Sequence, residues 1–113
     1  MNITINKVKI VTMIPEESVN KLRDLIWQTG AGTIGNYEMC SVATKVEGTF
    51  KANNLANPYI GIKNKLEKVP EIKLELICPI NKVKEVLNVI HENHPYETPG
   101  IEIVPLIDEN FFN

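Results

Sequence analysis

Apolar residues in this chain recur first at every second position and then at helical spacing, and this order occurs twice. Over residues 7–14 apolar and lysine positions alternate, which predicts a strand. Pro15 and two glutamates then open a stretch with apolar residues at helical spacing, which predicts a helix that ends at Gly30. Residues 37–46 hold tyrosine, valine and threonine without proline, so we expect a second strand there.

The second half of the chain repeats this order. Alternation predicts a third strand over residues 72–79, and Asn81 is the expected N-cap of a second helix whose apolar stripe ends before Pro95. Residues 100–106 predict the last strand, with a proline near its end. Between the halves, glycine, asparagine and proline are frequent in residues 47–68, which predicts a long loop with a short hairpin.

Two strand-helix-strand units joined by a loop predict a ferredoxin-like α+β fold, with both helices on one face of an antiparallel sheet. The length of 113 residues and the even composition predict a single domain over residues 1–113. The uncovered face of the sheet would carry charged residues together with Val11, Met13, Ile77 and Val104. A half-apolar face of this kind predicts contact with a partner subunit.

Charge and hydropathy argue against several classes of partner. The formal net charge of -2 leaves no basic excess to neutralise phosphates, so we expect no nucleic-acid partner. The N-terminal stretch lacks a continuous apolar run, which predicts a cytoplasmic protein with no membrane contact. Cys40 and Cys78 lie far apart within apolar strand patterns and are predicted to be buried, reduced thiols.

The first candidate site is the glycine turn, residues 30–37. Gly32 and Gly35 would let the backbone approach a ligand, and Asn36 and Tyr37 would extend the same wall. The turn follows a helix and precedes a strand, which is the reverse of the order that aims a helix N-terminus at phosphate. A helix cap followed by a tight turn is therefore the competing interpretation.

The second candidate site is the His-Pro-Tyr-Glu turn, residues 94–97. Imidazole and carboxylate are ligands of zinc and copper, so His91, His94 and Glu97 are the candidate ligands of a divalent metal ion. A closed zinc site needs four ligands and the chain holds only two histidines, so other residues or a second subunit would have to contribute. In the competing structural interpretation, prolines stiffen the turn, Tyr96 packs and His94 bonds to carbonyls at the helix end.

No catalytic residue is assigned from the sequence. No serine motif is typical of a nucleophile elbow, and Cys40 has no signature of activation. Glu97 or His94 could transfer a proton, but one such group does not define a reaction.

Four segments, taken in order, resemble the YqfO-type domain: GAGTIGNYEMCS (30–41), GTF (48–50), NPYIG (57–61) and HPYETP (94–99). That domain occurs alone and as an insertion in dinuclear-metal hexameric proteins related to the yeast NGG-interacting factor. The resemblance implies a fold similar to the signalling protein PII and the divalent-cation tolerance protein CutA, both trimers. It implies no activity for the isolated domain, because the longer relatives hold their metals with residues outside the insertion.

Residue patterns and resemblance together predict a non-enzymatic binding or regulatory domain that forms a homotrimer. It would bind a small ligand or metal ion at a subunit interface and would require no cofactor. The expected ligand contacts come from both turns: Gly32, Gly35, Asn36, Tyr37, His94, Tyr96 and Glu97.

Two alternatives remain open at this stage. One is a metal-dependent hydrolase or metal carrier that uses His91, His94 and Glu97. The other is a structural module that docks onto a larger metal-site protein.

Overall fold

The computed structural model describes residues 2–113, which form a four-stranded antiparallel sheet and two α-helices. Short 3-10 turns precede the second helix and follow the last strand. The element bounds are β1 Lys7–Ile14, α1 Glu16–Gln28, β2 Val42–Lys51, β3 Leu66–Pro79, α2 Val83–Asn93 and β4 Ile101–Leu106. This arrangement confirms the predicted ferredoxin-like α+β fold. In the described part of the chain, neither helix is long and apolar enough to cross a membrane.

The strand order in the sheet is β2-β3-β1-β4. Ile10 of β1 lies opposite Leu76 of β3 and Ile103 of β4. Since side chains alternate between the two faces of a strand, alternate residues of β1 and β3 point toward the helices. They form the core with the apolar stripes of α1 and α2, and its best-buried members are Ile14, Leu22, Ile26, Leu74, Cys78, Val86 and Ile90.

The ends of α1 follow from local sequence. Pro15 precedes the helix, and Glu16 and Glu17 lie in its first turn, where the helix dipole favours negative charge. Gly30 has a φ of +95°, a conformation that glycine adopts without steric cost. The predicted helix end at Gly30 is thus confirmed.

The bounds of the second and third strands differ from the prediction. β2 begins at Val42, not at residue 37, because residues 34–37 close a tight turn of their own. In this turn the N–H of Ile34 donates to the carbonyl of Tyr37 at 2.8 Å, and the reverse bond is 2.9 Å. β3 begins at Leu66, earlier than the predicted residue 72.

The predicted long loop over residues 47–68 is therefore wrong. Both of its ends belong to strands, and β2 and β3 form one long hairpin whose tip is residues 52–65. β1 pairs only with residues 72–79 of β3, so at Pro70 β3 has a neighbouring strand on one side only. Proline is tolerated at such an edge position because it has no N–H to donate.

Two smaller predictions are also corrected. Asn81 lies within the 3-10 turn Ile80–Lys82, and no side chain caps α2, so the predicted N-cap is wrong. Cys40 lies in the loop before β2 and is only half-buried, whereas Cys78 is buried in the core as predicted. Burial raises the pKa of the Cys78 thiol above its usual value.

The open face is the face of the sheet that carries no helix, with Lys9, Val11 and Glu75 near its centre and Val104 on the edge strand β4. The Nζ atom of Lys9 lies 3.2 Å from Oε1 of Glu75. Val11 lies opposite Glu75 and Glu102 and is only 2% exposed, whereas Val104 is 37% exposed. The apolar part of this face is thus smaller than predicted and lies mainly on the outer strands.

Candidate functional site

His94 ties the His-Pro-Tyr-Glu turn to β1. The N–H of Tyr96 lies 3.1 Å from Nδ1 of His94, and because a backbone N–H can only donate, Nδ1 must accept. Nε2 then carries the proton and donates to the carbonyl of Met13 at 2.8 Å. Burial lowers the pKa of His94 below its usual value, although the bond to Met13 opposes this shift. The ring is therefore neutral, and both of its nitrogens are occupied.

Tyr96 forms the second link from the turn to the sheet. Its hydroxyl donates to Oε2 of Glu71 at 2.6 Å, and Glu71 is only 8% exposed. Burial and the Glu71 carboxylate both raise the pKa of Tyr96 well above its usual value. Tyr96 therefore stays protonated and acts as a hydrogen-bond donor to a buried carboxylate.

Gly48 of β2 makes room for this pair. A Cβ atom at Gly48 would collide with Oε1 of Glu71, so the carboxylate occupies the space that a side chain would fill. Glu71 was missed by sequence reasoning, because it precedes the predicted start of the third strand at residue 72 and belongs to no motif. A glycine inside a strand signals a close approach, but it does not name the approaching residue.

A cavity of about 430 Å³ lies beside the turn. The hairpin tip forms one side of it, and the N–H of Asn57 in this tip donates to Oε1 of Glu97 at 2.9 Å. The rings of Tyr59 and Tyr96 are 6.2 Å apart between centroids, with an angle of 49° between their planes. The lining residues are Met13, Thr49, Phe50, Ala52, Ala56, Pro58, Tyr59, Ile60, Glu71, Tyr96, Glu97, Thr98 and Gly100.

The glycine turn is built differently. Gly32 is buried, its N–H donates to the carbonyl of Ile77 at 2.8 Å, and its carbonyl accepts from Cys40 at 2.8 Å. A Cβ atom at this position would lie 2.7 Å from the Cys40 oxygen and 2.9 Å from Cδ1 of Trp27. Its φ of +81° also favours glycine. Packing of the backbone is therefore sufficient to explain Gly32.

The other predicted ligand contacts of this turn lie at the surface. Gly35, Asn36 and Tyr37 are exposed. Gly32 bonds to Ile77, whereas Tyr96 bonds to Glu71, and these two positions of β3 are about 20 Å apart along the strand. One chain thus brings together His94, Tyr96 and Glu97 but not the residues of the glycine turn. Contacts from both turns to one ligand stay a prediction that requires a second copy.

The predicted metal ligands do not converge within one chain. His91 is exposed, both nitrogens of His94 are occupied, and Glu97 accepts a bond from the hairpin tip. Residues 2–113 include no group of three His, Cys, Asp or Glu side chains placed to hold a metal ion. Metal binding by His91, His94 and Glu97 stays a prediction that would need rearrangement or donors from a second copy.

Curated relatives align with nearly the whole chain. It is 37% identical over 101 residues to the GTP cyclohydrolase 1 type 2 homolog of Halalkalibacterium halodurans, covering 89% of this chain and 27% of the relative. The protein of the same name from Bacillus subtilis is 35% identical over 98 residues, covering 87% of the chain and 26% of the relative. No protein-family model matches the chain.

A solved structure gives the same result. The Bacillus cereus protein related to NIF3 superimposes with a TM-score of 0.77 at 28% identity, over 95% of this chain and 28% of its own. The chain is a YqfO-type domain. CutA1 from Oryza sativa matches this domain with a TM-score of 0.69 at 15% identity, over 96% of the chain and 87% of its own, which shows a shared fold.

The domain spans about a quarter of the length of the curated relatives that it matches. Their names describe proteins several times as long, so no activity passes from those names to this domain.

Proposed function

We propose that this YqfO-type domain is a non-enzymatic binding or regulatory domain that forms a homotrimer and binds a small molecule beside the His-Pro-Tyr-Glu turn. The observation that carries the proposal is the preformed cavity of about 430 Å³, which lies within the usual size of small-molecule sites. Its lining is largely apolar and contains a few fixed polar groups, as is typical of such sites.

The state of His94 and Tyr96 argues against proton transfer by either side chain. A general base needs a free lone pair, but both nitrogens of His94 are occupied. The Tyr96 hydroxyl already donates to Glu71, and its raised pKa makes loss of its proton unfavourable. Oε1 of Glu97 accepts a bond from Asn57. These groups hold the cavity in shape, which suits recognition.

The outer strands support self-association. β2 and β4 form the two edges of the sheet, and most of their residues are exposed on both faces. Edge strands present unpaired backbone groups, and Val42 and Val104 add exposed apolar surface. A trimer would cover these edges, and it offers a way to bring the glycine turn of one chain near the cavity of another.

Sedimentation velocity tests the assembly. We expect the wild type to sediment as a trimer and Val104→Glu to sediment as a monomer, because the variant places a charge at the edge of the open face. Val104 lies opposite Lys9, so a glutamate there is compatible with the folded single chain. Leu55→Glu is the control, because Leu55 is 94% exposed at the hairpin tip and outside the sheet. A monomeric wild type at high concentration, or equal dissociation of both variants, would contradict the proposal.

A docking module is the second candidate function. It is favoured by the curated relatives, in which the matched region is about a quarter of a longer protein. In this case the domain would associate with a larger protein in its host and not with copies of itself. Sedimentation of the tagged chain at its natural abundance would then show a complex of one domain with a larger partner, and a homotrimer would contradict it.

A further inference from the structure

We infer that the ligand of the cavity is a small organic cation, an amine or quaternary ammonium group carried on an apolar body. The inference rests on the proposed binding function and names the class of ligand for the same cavity. The charge of the ligand would lie against Glu71, and its body would lie against the aromatic and aliphatic lining.

The charged side chains that line the cavity are all acidic. Two carboxylates, Glu71 and Glu97, line the cavity, and no lysine, arginine or histidine does. The ion pairs within residues 2–113 join Lys9 and Lys73 to Glu75, so no basic side chain of this range pairs with either cavity carboxylate. His94, next to the turn, adds no positive charge because burial favours its neutral form.

The buried position of Glu71 increases the effect of this excess of negative charge on the choice of ligand. Tyr96 donates to Oε2, but no group within residues 2–113 donates a hydrogen bond to Oε1. Oε1 is not among the buried side-chain atoms that lack a partner, so it keeps contact with solvent and is open to a ligand, although Glu71 as a whole is only 8% exposed. A carboxylate with little water around it and no cationic partner favours the approach of a positive charge. A ligand ammonium group would supply both the charge and the missing donor.

The rest of the lining fits an apolar body. Tyr59 and Tyr96 both line the cavity with rings tilted relative to each other, and aromatic faces attract organic cations. Met13, Phe50 and Ile60 add apolar surface. A calcium ion fits less well, because it takes six to eight oxygen ligands and this lining offers few beyond the carboxylates. A closed zinc site fits no better, because the lining contains no histidine or cysteine.

The same arrangement disfavours anions. A phosphate or carboxylate ligand would lie close to two carboxylates, of which Glu71 is largely buried, and like charges repel each other. We therefore expect nucleotides and organic acids to bind poorly to this cavity.

Three probes of matched size and different charge test the inference: phenethylamine, phenethyl alcohol and hydrocinnamate. Each is titrated into the full chain to millimolar concentration while amide chemical shifts are followed. We expect the amine to bind at least about tenfold more tightly than the alcohol, and the acid to bind most weakly. The shifts should map to the hairpin tip and to residues 94–100.

Glu71→Gln keeps an acceptor for Tyr96 and removes the charge, so it should lose most of the preference for the amine over the alcohol. Glu75→Gln is the matched control, because Glu75 lies on the same strand and face but outside the cavity, and it should keep the preference. If Glu71→Gln does not fold, the ranking of the three probes by the wild type decides the question alone.

The outcomes distinguish failure of the cationic ligand class from failure of the binding function itself. Equal binding of amine and alcohol, or preference for the acid, would overturn the cationic ligand and leave the binding cavity in place. Loss of the preference in Glu75→Gln as well would also overturn the role of Glu71. No binding of any probe would overturn both the ligand class and the proposed binding function.

Discussion

The glycine turn and the His-Pro-Tyr-Glu turn both follow a helix and lead toward a strand, but they use their residues in opposite ways. In the glycine turn the backbone packs inward at Gly32, while the side chain of Tyr37 is 76% exposed. In the other turn the side chains of His94 and Tyr96 point into the protein and form the bonds that hold it. A short motif therefore indicates a special local structure, whereas the bonding partners decide whether its side chains can meet a ligand.

The comparison of the two turns predicts the largest loss of stability for a substitution at Gly32. Gly32→Ala combines a left-handed backbone with contacts to Cys40 and Trp27 that are too close, so we expect it to lower the free energy of unfolding by about 3 kcal/mol. Gly35→Ala is the matched control, because its φ is +56° but no atom lies within 4 Å of the added Cβ. It should cost only about 1 kcal/mol. Urea denaturation measures both, and equal costs would mean that packing at Gly32 is not the constraint.

The next effect concerns the buried hydroxyl in the other turn. Tyr96→Phe removes the only hydrogen bond that the described residues donate to the Glu71 carboxylate, so we expect the free energy of unfolding to fall by about 2 kcal/mol. Tyr37→Phe, in the exposed glycine turn, should change it by less than about 0.5 kcal/mol. Urea denaturation near neutral pH compares the two variants. A similar cost for both would remove the contrast between buried and exposed side chains.

The smallest effect is the pH dependence of stability that His94 contributes. Its pKa in the folded domain lies below the usual value of 6.5, so the unfolded chain takes up a proton there before the folded domain does. The stability present above pH 6.5 is then lost progressively as the pH falls toward the folded-state pKa. We expect this loss in the wild type and, slightly reduced, in His91→Gln, because the charge of the exposed His91 contributes less than burial to the lowered pKa of His94.

His94→Gln should be less stable than the wild type at neutral pH, because it loses bonds to Met13 and Tyr96, but it should lose less stability on acidification. Urea denaturation at several pH values between about 7.5 and 5 measures the slopes, which bracket the usual titration range of histidine. Parallel slopes for the wild type and His94→Gln would contradict the assigned neutral state of His94.

The spacing of apolar residues along the sequence predicted the elements whose burial depends on that spacing. The alternation in β1 and the helical spacing in α1 and α2 predicted these three elements and the face that each one buries. Burial of one face of a strand or helix produces these periods directly. The start of β2 was missed because tyrosine has a high strand propensity, yet Tyr37 is used to close a turn. A propensity does not reveal which backbone partner a residue will have.

The site was predicted only in part for a related reason. The importance of His94 and Tyr96 was visible in the sequence because they lie in one compact motif. Glu71 was not visible, because its role depends on the pairing of β2 with β3 and on the space left by Gly48. The separation of the two turns along β3 likewise needed the strand register.

Native mass spectrometry of the protein purified from its own host tests the central claim most directly, since it reports subunit number and retained ligand together. The account predicts three chains with a bound small molecule that carries a positive charge in solution. Single chains without any bound molecule, under conditions that preserve a known trimer of similar size, would contradict it.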